Sequence, residues 1–439
     1  MGNPATTDTR EIVVEILLDL ERGQDFSHKL IKAVLDKYDY LDPRDKAFIK
    51  RVTEGTIERQ LELDYYLNQF SSVPVRKMKP LIRCLLRMST YQILYMDAVP
   101  DSAVCNEACK LAAKRGFRTL KGFVNAVLRN IARSKDKMPL PDPADSVKYF
   151  SVKYSMPEWI VELWLPVYGM KGTETLLKGL LKIHPVSLRF RVDLSEEERK
   201  DLVTQIESTG VSLTQSKELP YVYLAENLEN VNALPGFAEG RFTVQDVSSA
   251  LAVKAAQIHP GDKVMDLCAA PGGKTILASE YAGAKGHVLS RDVSEYKTEL
   301  ILENLERMQC TNVEVEVHDA TVPDAAHEGY ADVVLMDVPC SGLGVMGKKR
   351  DIKYHVTPDS LKSINELQRQ IVETGWRYVK PGGVLLYSTC TIHRGENQEK
   401  AAWITDHLPF VLEEERQLLP GTDAADGFYY ARLRRKAEE

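Results

Sequence analysis

The chain of 439 residues is predicted to be a multidomain protein with an all-α bundle, then a small α+β unit, then a C-terminal α/β domain. Its length exceeds that of one ordinary core, and 44% apolar with 27% charged residues is typical of globular proteins. Apolar residues recur at helical spacing in the first third. Beyond Arg241, strand-like and helix-like runs alternate, which predicts a parallel sheet covered by helices.

Residues 1–140 are predicted to form the helical bundle. Apolar side chains recur three and four positions apart from Ile12 to Leu17 and again from Phe123 to Leu128. Residues 138–146 contain three prolines and are the best candidate for a linker.

The charge distribution within this bundle favours a nucleic-acid partner. Residues 71–137 hold 14 lysines and arginines against 4 acidic residues, whereas the whole chain has a net charge of −6. A basic segment in an acidic protein is expected at a contact with RNA phosphates, although a solvated basic face is the plain alternative. The residues near predicted turns that favour RNA contact are Arg76, Lys77, Lys79, Lys114, Arg115 and Arg118.

Residues 141–240 are predicted to form a helical linker followed by a small α+β unit. A helix is centred on Pro157 to Trp164, and the pattern then changes to shorter elements. The predicted elements are a strand at Val186 to Val192, a helix at Ser195 to Ser208, and strands at Val211 to Leu213 and Tyr221 to Leu224.

Residues 241–439 are predicted to form a Rossmann-like domain, because strands and helices alternate along this part of the chain. The candidate strands are Lys263 to Leu267, Gly286 to Ser290, Val313 to Val317, Val333 to Asp337 and Gly383 to Ser388. Phe410 to Glu414 and Gly427 to Leu433 are expected to add a closing hairpin.

A glycine-rich loop, Asp266 to Thr275, follows the first of these strands and precedes a helix, which is a typical place for a ligand. Gly273-Lys274-Thr275 matches the end of a triphosphate-binding loop, but the glycine required five residues earlier is Cys268. The spacing of a dinucleotide-binding loop is also absent. S-adenosylmethionine fits best, because Asp292 and Asp319 follow the second and third strands as ribose- and adenine-binding acids would.

Two cysteines stand just after apolar strands, Cys340 after Val333 to Asp337 and Cys390 after Gly383 to Ser388. If these strands are neighbours in the sheet, both thiols lie in one cleft beside the glycine loop. A cysteine nucleophile with a helper is one interpretation, and two buried core cysteines are the other. The residues alone leave the two roles interchangeable. Glu396 and Asn397, just beyond Cys390, are expected to cap the next helix.

The motifs carry a family resemblance. FTVQDVSS, DLCAAPGGKT, DVPCSGLG, YSTCTIHRGENQE and DGFYYARLRRK closely resemble the motifs of RNA cytosine-5 methyltransferases of the Nol1/Nop2/Sun class. LDPRDKAF and the stretch from Cys84 resemble a NusB-like RNA-binding bundle. Together they resemble the bacterial Sun/Fmu proteins, the 16S rRNA (cytosine-5)-methyltransferase B family.

This resemblance implies methyl transfer from S-adenosylmethionine to carbon 5 of a cytidine in 16S rRNA through a covalent cysteine–cytosine adduct. It assigns Cys390 as the nucleophile and Cys340 as the helper in release. Asp337 is placed to act as the acid beside nitrogen 3 of the cytosine ring. The predicted cofactor-binding residues are Cys268, Ala269, Ala270, Pro271, Gly272, Gly273, Lys274, Asp292, Asp319 and Asp337.

The chain departs from the family pattern after the Pro-Cys motif. Gly347 to Tyr354 reads GKKRDIKY, without the usual proline, so the family pattern does not predict the shape of this loop. Its basic residues favour RNA contact. An RNA-binding module with an inactive scaffold and a nucleotide-driven RNA enzyme are the competing hypotheses. Seven cysteines without repeated spacing predict a cytoplasmic protein with reduced thiols, and no apolar run is long enough for a membrane span. No metal is expected, because Cys390 and His393 lack a second ligand pair at suitable spacing, and a monomer is expected.

Overall fold

The structure is a computed structural model that describes residues 8–23, 26–182, 185–423 and 425–437. The chain divides into two compact units, Met1–Leu181 with Lys348–His355, and Lys182–Gly347 with Val356–Glu439. The predicted boundaries after residues 140 and 240 stay a prediction. None of the helices in the described residues has both the length and the apolar character needed to cross a membrane.

The first unit is helical, as predicted, and its residues from Ile12 to Ile131 share an apolar core. Asp42 accepts a hydrogen bond at the start of one helix, whose first residue is Pro43, a combination that favours a helix N-terminus. The helices are α1 Thr9–Glu21, α2 Ser27–Lys37, α3 Pro43–Glu58, α4 Gln60–Phe70, α5 Pro80–Tyr95, α6 Asp101–Lys114, α7 Lys121–Ser134, α8 Ser146–Lys153 and α9 Glu158–Leu180.

The basic residues predicted to contact RNA divide into two groups in this unit. Lys114 and Arg115 form ion pairs with Glu11, and Arg115 also pairs with Glu15. The other four are exposed, and none has an ion-pair partner within the described ranges. These four are Arg76, Lys77, Lys79 and Arg118.

The segment Lys348–His355 packs into the first unit rather than presenting all of its charges to solvent. The Lys353 ammonium is buried and donates to the carbonyl oxygens of Glu58 at 2.7 Å and Ser155 at 2.6 Å. Arg350 pairs with Glu58 at 3.2 Å. Lys353 is therefore buried among protein partners, and the expectation that it contacts RNA was wrong, whereas RNA contact by the partly exposed Arg350 stays a prediction. The last residues of this segment form α14, Ile352–His355.

The second unit begins with a four-stranded antiparallel sheet in the order β2-β3-β1-β4. Ser195 and Glu198 form a capping box at the start of its one long helix. The elements are β1 Val186–Phe190, α10 Glu196–Glu207, β2 Ser212–Gln215, β3 Val222–Glu226 and β4 Phe242–Val244.

The remainder of this unit is the predicted Rossmann-like domain, a seven-stranded sheet in the order β10-β11-β9-β8-β5-β6-β7. Strands β5 to β9 are parallel, and β10 and β11 add the predicted antiparallel hairpin. The strands are β5 Lys263–Asp266, β6 His287–Asp292, β7 Val313–Val317, β8 Ala331–Asp337, β9 Val379–Thr389, β10 Phe410–Leu418 and β11 Phe428–Arg435. The helices are α11 Val247–Ala255, α12 Gly273–Ala282, α13 Glu295–Arg307, α15 Pro358–Gly375 and α16 Gln398–His407.

The sheet order brings the two cysteine-bearing loops together. β8 and β9 are adjacent and parallel, with Asp337 opposite Ser388 at their carboxyl ends. On the other side of β8 lies β5, which leads into the glycine loop. The prediction that these strands are neighbours is confirmed.

Candidate active site

Asp266 ends β5 beneath the glycine loop and is fully buried. One carboxylate oxygen accepts a hydrogen bond from Thr275 Oγ1 at 2.7 Å, while Oδ1 has no partner among the described residues. Burial raises the pKa of Asp266 to about 7. An acceptor oxygen without a donor suits a bound cationic group.

The glycine loop is held by its own backbone and by the end of β6. Ala269 N–H donates to Arg291 O at 3.0 Å, and Ala270 N–H donates to Asp292 Oδ2 at 2.9 Å. Gly272 lies at φ +97°, a conformation that favours glycine, and it is the N-cap residue of α12. Cys268 lies in the same loop, where burial raises the pKa of its thiol.

The two acids after β6 and β7 differ in their surroundings. Asp292 is buried and also accepts from Val293 N–H at 2.7 Å and from Lys297 Nζ at 2.9 Å. Asp319 is exposed and accepts from the backbone and hydroxyl of Thr321, whose hydrogen bonds lower the pKa of Asp319. Of the two, Asp292 is the one that makes a hydrogen bond to the glycine loop.

An ion pair joins the glycine loop to the end of β8. Lys274 Nζ donates to Asp337 Oδ2 at 2.7 Å, and Ser388 Oγ donates to Asp337 Oδ1 at 2.7 Å. Burial acts to lower the pKa of Lys274, but the charge and hydrogen bond of Asp337 outweigh it, and the charge of Cys390 acts in the same direction. Lys274 therefore stays cationic beside both groups.

The two cysteines lie side by side, with Cys340 Sγ at 3.2 Å from Cys390 Sγ. The hydrogen bond with Cys390, burial and the nearby charges of Cys390 and Glu396 raise the pKa of Cys340 well above its ordinary value. The two thiols therefore share one hydrogen bond, in which either sulfur can be the donor.

Asn397 is the N-cap residue of α16, as expected, but its side chain makes no capping hydrogen bond, and Glu396 lies outside the cap. Asn397 accepts from Thr389 Oγ1 at 2.6 Å and donates to Thr391 O at 3.0 Å. The buried carboxylate of Glu396 instead contacts Ser341, the residue after Cys340. Sequence reasoning missed this contact, because no local pattern links a residue beyond β9 to a loop beyond β8.

Comparisons with known proteins agree with this geometry. Residues 253–434 match the family model of the 16S rRNA methyltransferase RsmB/F, and residues 7–133 match that of the NusB family. The chain is 34% identical to the probable ribosomal RNA small subunit methyltransferase B of Bacillus subtilis, over 98% of this chain and 99% of that protein. It is 29% identical to ribosomal RNA small subunit methyltransferase B of Vibrio cholerae, over 93% of this chain and 94% of that protein.

A solved structure has the same fold along nearly the whole chain. The crystal structure of PH0851 superposes with a TM-score of 0.80 at 25% identity, covering 98% of this chain and 100% of that one. Three findings indicate the same family. They are the two matching domain models, the relatives that are similar along almost their full length, and the sheet with its glycine loop. The chain belongs to the 16S rRNA methyltransferase RsmB/F family and carries a NusB-family domain.

Proposed function

We propose that the protein transfers a methyl group from S-adenosylmethionine to carbon 5 of a cytidine in 16S rRNA, through a transient bond between Cys390 and the base. The observation that carries the proposal is the pair of thiols 3.2 Å apart, in the loops after β8 and β9, where β8 is the neighbour of the strand that leads into the glycine loop. A lone nucleophile needs no second thiol, whereas a reaction that makes and then breaks a carbon–sulfur bond has a use for both.

The residues around the glycine loop fit S-adenosylmethionine. Asp266 Oδ1 is a buried acceptor without a donor, suited to the ammonium group of the ligand's amino-acid part. The N-terminus of α12 favours its carboxylate. The proposed binding residues are the loop from Cys268 to Lys274 with Asp292, Asp319 and Asp337. Bound there, the cofactor supplies an electrophilic methyl group.

Carbon 5 of cytosine becomes nucleophilic when a thiolate adds to carbon 6 and breaks the ring's aromaticity. Cys390 is the proposed nucleophile, because it stands in the Thr-Cys motif to which the family resemblance assigns attack, and the Cys340 sulfur lies within hydrogen-bond distance of it at 3.2 Å. Asp337 is proposed to hydrogen-bond at ring nitrogen 3, and the ammonium of Lys274 stabilises the negative charge that builds there.

Release requires loss of the proton on carbon 5 and expulsion of Cys390 as a thiolate. Cys340 is the proposed helper, since its sulfur lies 3.2 Å from that of Cys390. As a thiolate, Cys340 takes the carbon 5 proton, and the electron pair of that carbon–hydrogen bond forms the carbon 5–carbon 6 double bond while the carbon–sulfur bond to Cys390 breaks. Without Cys340 the proton has no base beside it, and the adduct is expected to persist.

RNA binding is proposed for the NusB-family domain through Arg76, Lys77, Lys79 and Arg118, which are exposed. Side chains of this kind neutralise phosphates and give a binding constant that falls with salt. Lys114 and Arg115 already face Glu11, so they contribute less net charge.

We also propose that the protein acts as a monomer.

The test compares Cys390→Ala and Cys340→Ala variants on unmodified 16S rRNA with methyl-labelled S-adenosylmethionine. We expect no methyl transfer by Cys390→Ala and a protein–RNA adduct that survives denaturation for Cys340→Ala. Full turnover by Cys390→Ala would refute the proposal.

The cofactor itself is checked by thermal unfolding of the wild-type protein with saturating ligand. S-adenosylmethionine is expected to raise the melting temperature, and ATP is expected to leave it unchanged. Stabilisation by ATP alone would favour the nucleotide-driven alternative.

A further inference from the structure

Glu396 is a buried carboxylate whose two oxygens have four polar neighbours. Oε2 accepts from Ser341 N–H at 2.9 Å and from Gln368 Nε2 at 2.9 Å. Oε1 accepts from Ser341 Oγ at 2.6 Å and lies 3.2 Å from His393 Nδ1. The side chain of Glu396 has no exposed surface. Burying a carboxylate costs free energy, so an apolar side chain would fill this space more favourably. The carboxylate and its contacts therefore indicate more than packing.

These contacts fix the chain on both sides of Cys340. The residue after it, Ser341, is held by Glu396 through its backbone and its hydroxyl. The residue before it, Pro339, is held through its carbonyl oxygen, which accepts from Gln368 Nε2 at 2.9 Å. Since Gln368 also donates to Glu396, a single buried cluster determines where the Cys340 loop lies.

Glu396 itself belongs to the loop that carries Cys390. Its carbonyl oxygen accepts from Tyr387 OH at 2.7 Å, and Tyr387 is a buried residue of β9 just before Cys390. A second link runs from Ser341 Oγ to Thr391 Oγ1, at 2.7 Å. Glu396 is therefore anchored on the Cys390 side and reaches across to the Cys340 side.

We propose that Glu396 is a positioning residue that holds the Cys340 loop against the Cys390 loop, so that release of the methylated RNA depends on it more than attack does. The inference rests on the proposed function. Attack uses Cys390, which follows β9 directly, together with Asp337 and Lys274 at the cytosine ring. Release also needs Cys340 beside Cys390, and Glu396 holds the Cys340 loop through its two contacts with Ser341 and its contact with Gln368.

The test uses the full-length Glu396→Gln variant. A glutamine amide keeps one acceptor oxygen and replaces the other with a donating NH₂ group, so two of the four contacts lose their acceptor. A second variant, Ser341→Ala, leaves Glu396 in place and removes only the hydroxyl contacts. The matched control is Glu399→Gln, which removes the same charge from an exposed position on α16.

Each variant is incubated with 16S rRNA and S-adenosylmethionine, and the denaturation-resistant adduct and the 5-methylcytosine formed are both measured. We expect the ratio of adduct to product to rise at least about tenfold for Glu396→Gln, the size typical of losing a residue that orients a reactive group. A smaller rise is expected for Ser341→Ala, and the wild-type ratio for Glu399→Gln.

A general folding defect lowers adduct and product together and leaves their ratio unchanged. A wild-type ratio in Glu396→Gln would therefore overturn the inference. If Glu396→Gln does not show a cooperative thermal transition, a wild-type ratio in Ser341→Ala overturns it instead. Failure of the proposed function is read from the wild-type protein, which would then form neither adduct nor 5-methylcytosine. Failure of the inference alone is read from the variants, with the wild-type protein active.

Discussion

At the scale of single residues, Asp266 shows how burial changes the acidity of a group in the site. Its carboxyl has one donor, Thr275, and no exposed surface. Burial therefore raises its pKa from 3.8 to about 7, because the charged form loses its hydration. The neutral acid is favoured in the folded protein relative to the unfolded chain.

This shift predicts a pH-dependent cost to stability. A carboxyl group with a raised pKa contributes stability that is fully present below the pKa of 3.8 that it has in the unfolded chain. This contribution is lost as the pH rises to the folded-state pKa of about 7. Asp266→Asn removes this group, so the melting temperature of the variant relative to wild type should rise between pH 4 and about pH 7 and then level off. The shift corresponds to at most about 4 kcal/mol.

Thermal unfolding across this pH range provides the measurement. The control is Asp406→Asn, which changes an exposed aspartate of the same unit. A difference between Asp266→Asn and wild type that does not vary with pH would contradict the assigned pKa.

The sequence predicted which residues lie in the site better than it predicted what they contact. Cys340 and Cys390 were expected in one cleft because parallel strands end at one edge of a sheet. The ion pair of Lys274 with Asp337 was not foreseen. Side-chain pairs of this kind depend on the distance between separate loops, which periodicity does not give.

At the scale of elements, the loop after β8 approaches the hairpin strand β11 unusually closely. Gly344 N–H donates to Cys390 O at 3.1 Å, and Gly427 N–H donates to Gly344 O at 3.0 Å. A Cβ atom at position 344 would lie 2.8 Å from Cys390 O and still closer to Gly427 O. Only glycine fits between these two backbones.

Gly344→Ala is therefore expected to destabilise the second unit by about 1–3 kcal/mol, the usual cost of overpacking, and to reduce methyl transfer. Thermal unfolding and a transfer assay measure the two effects. The control is Gly122→Ala, at a helical position where an added Cβ meets no atom within 4 Å. Wild-type activity in Gly344→Ala would show that the loop has room to move.

The elements themselves were largely predictable, because their apolar periodicities are strong. The five strands expected in the parallel sheet are all present, and the hairpin at the C-terminus is β10 with β11. Strand β4, Phe242–Val244, was not predicted, since three residues carry too little periodicity. It pairs with β1 by long-range hydrogen bonds that a local pattern does not reveal.

At the scale of the whole molecule, the chain leaves the second unit after Gly347 and returns to it at Val356. The sequence could not predict this, because the segment departs from the family pattern and its basic residues suggested RNA contact. Lys353 is instead buried between two carbonyl acceptors, and burial lowers its pKa to about 7.

A lysine with a lowered pKa contributes stability that is fully present above the pKa of 10.5 that it has in the unfolded chain. This contribution is lost as the pH falls to the folded-state pKa of about 7. The first unit of the wild-type protein should therefore gain stability between about pH 7 and pH 10 relative to Lys353→Met. Melting temperatures at several pH values measure this gain, with the exposed Lys349→Met as control. Parallel pH profiles for wild type and Lys353→Met would contradict it.

Methylation of carbon 5 of cytidine through Cys390 is the activity proposed for this chain. The most direct measurement is mass spectrometry of nucleosides from unmodified 16S rRNA after incubation with methyl-labelled S-adenosylmethionine and either wild type or Cys390→Ala. The account predicts label in 5-methylcytidine with the wild-type protein and none with Cys390→Ala. Label in a different nucleoside, or equal label with both proteins, would contradict it.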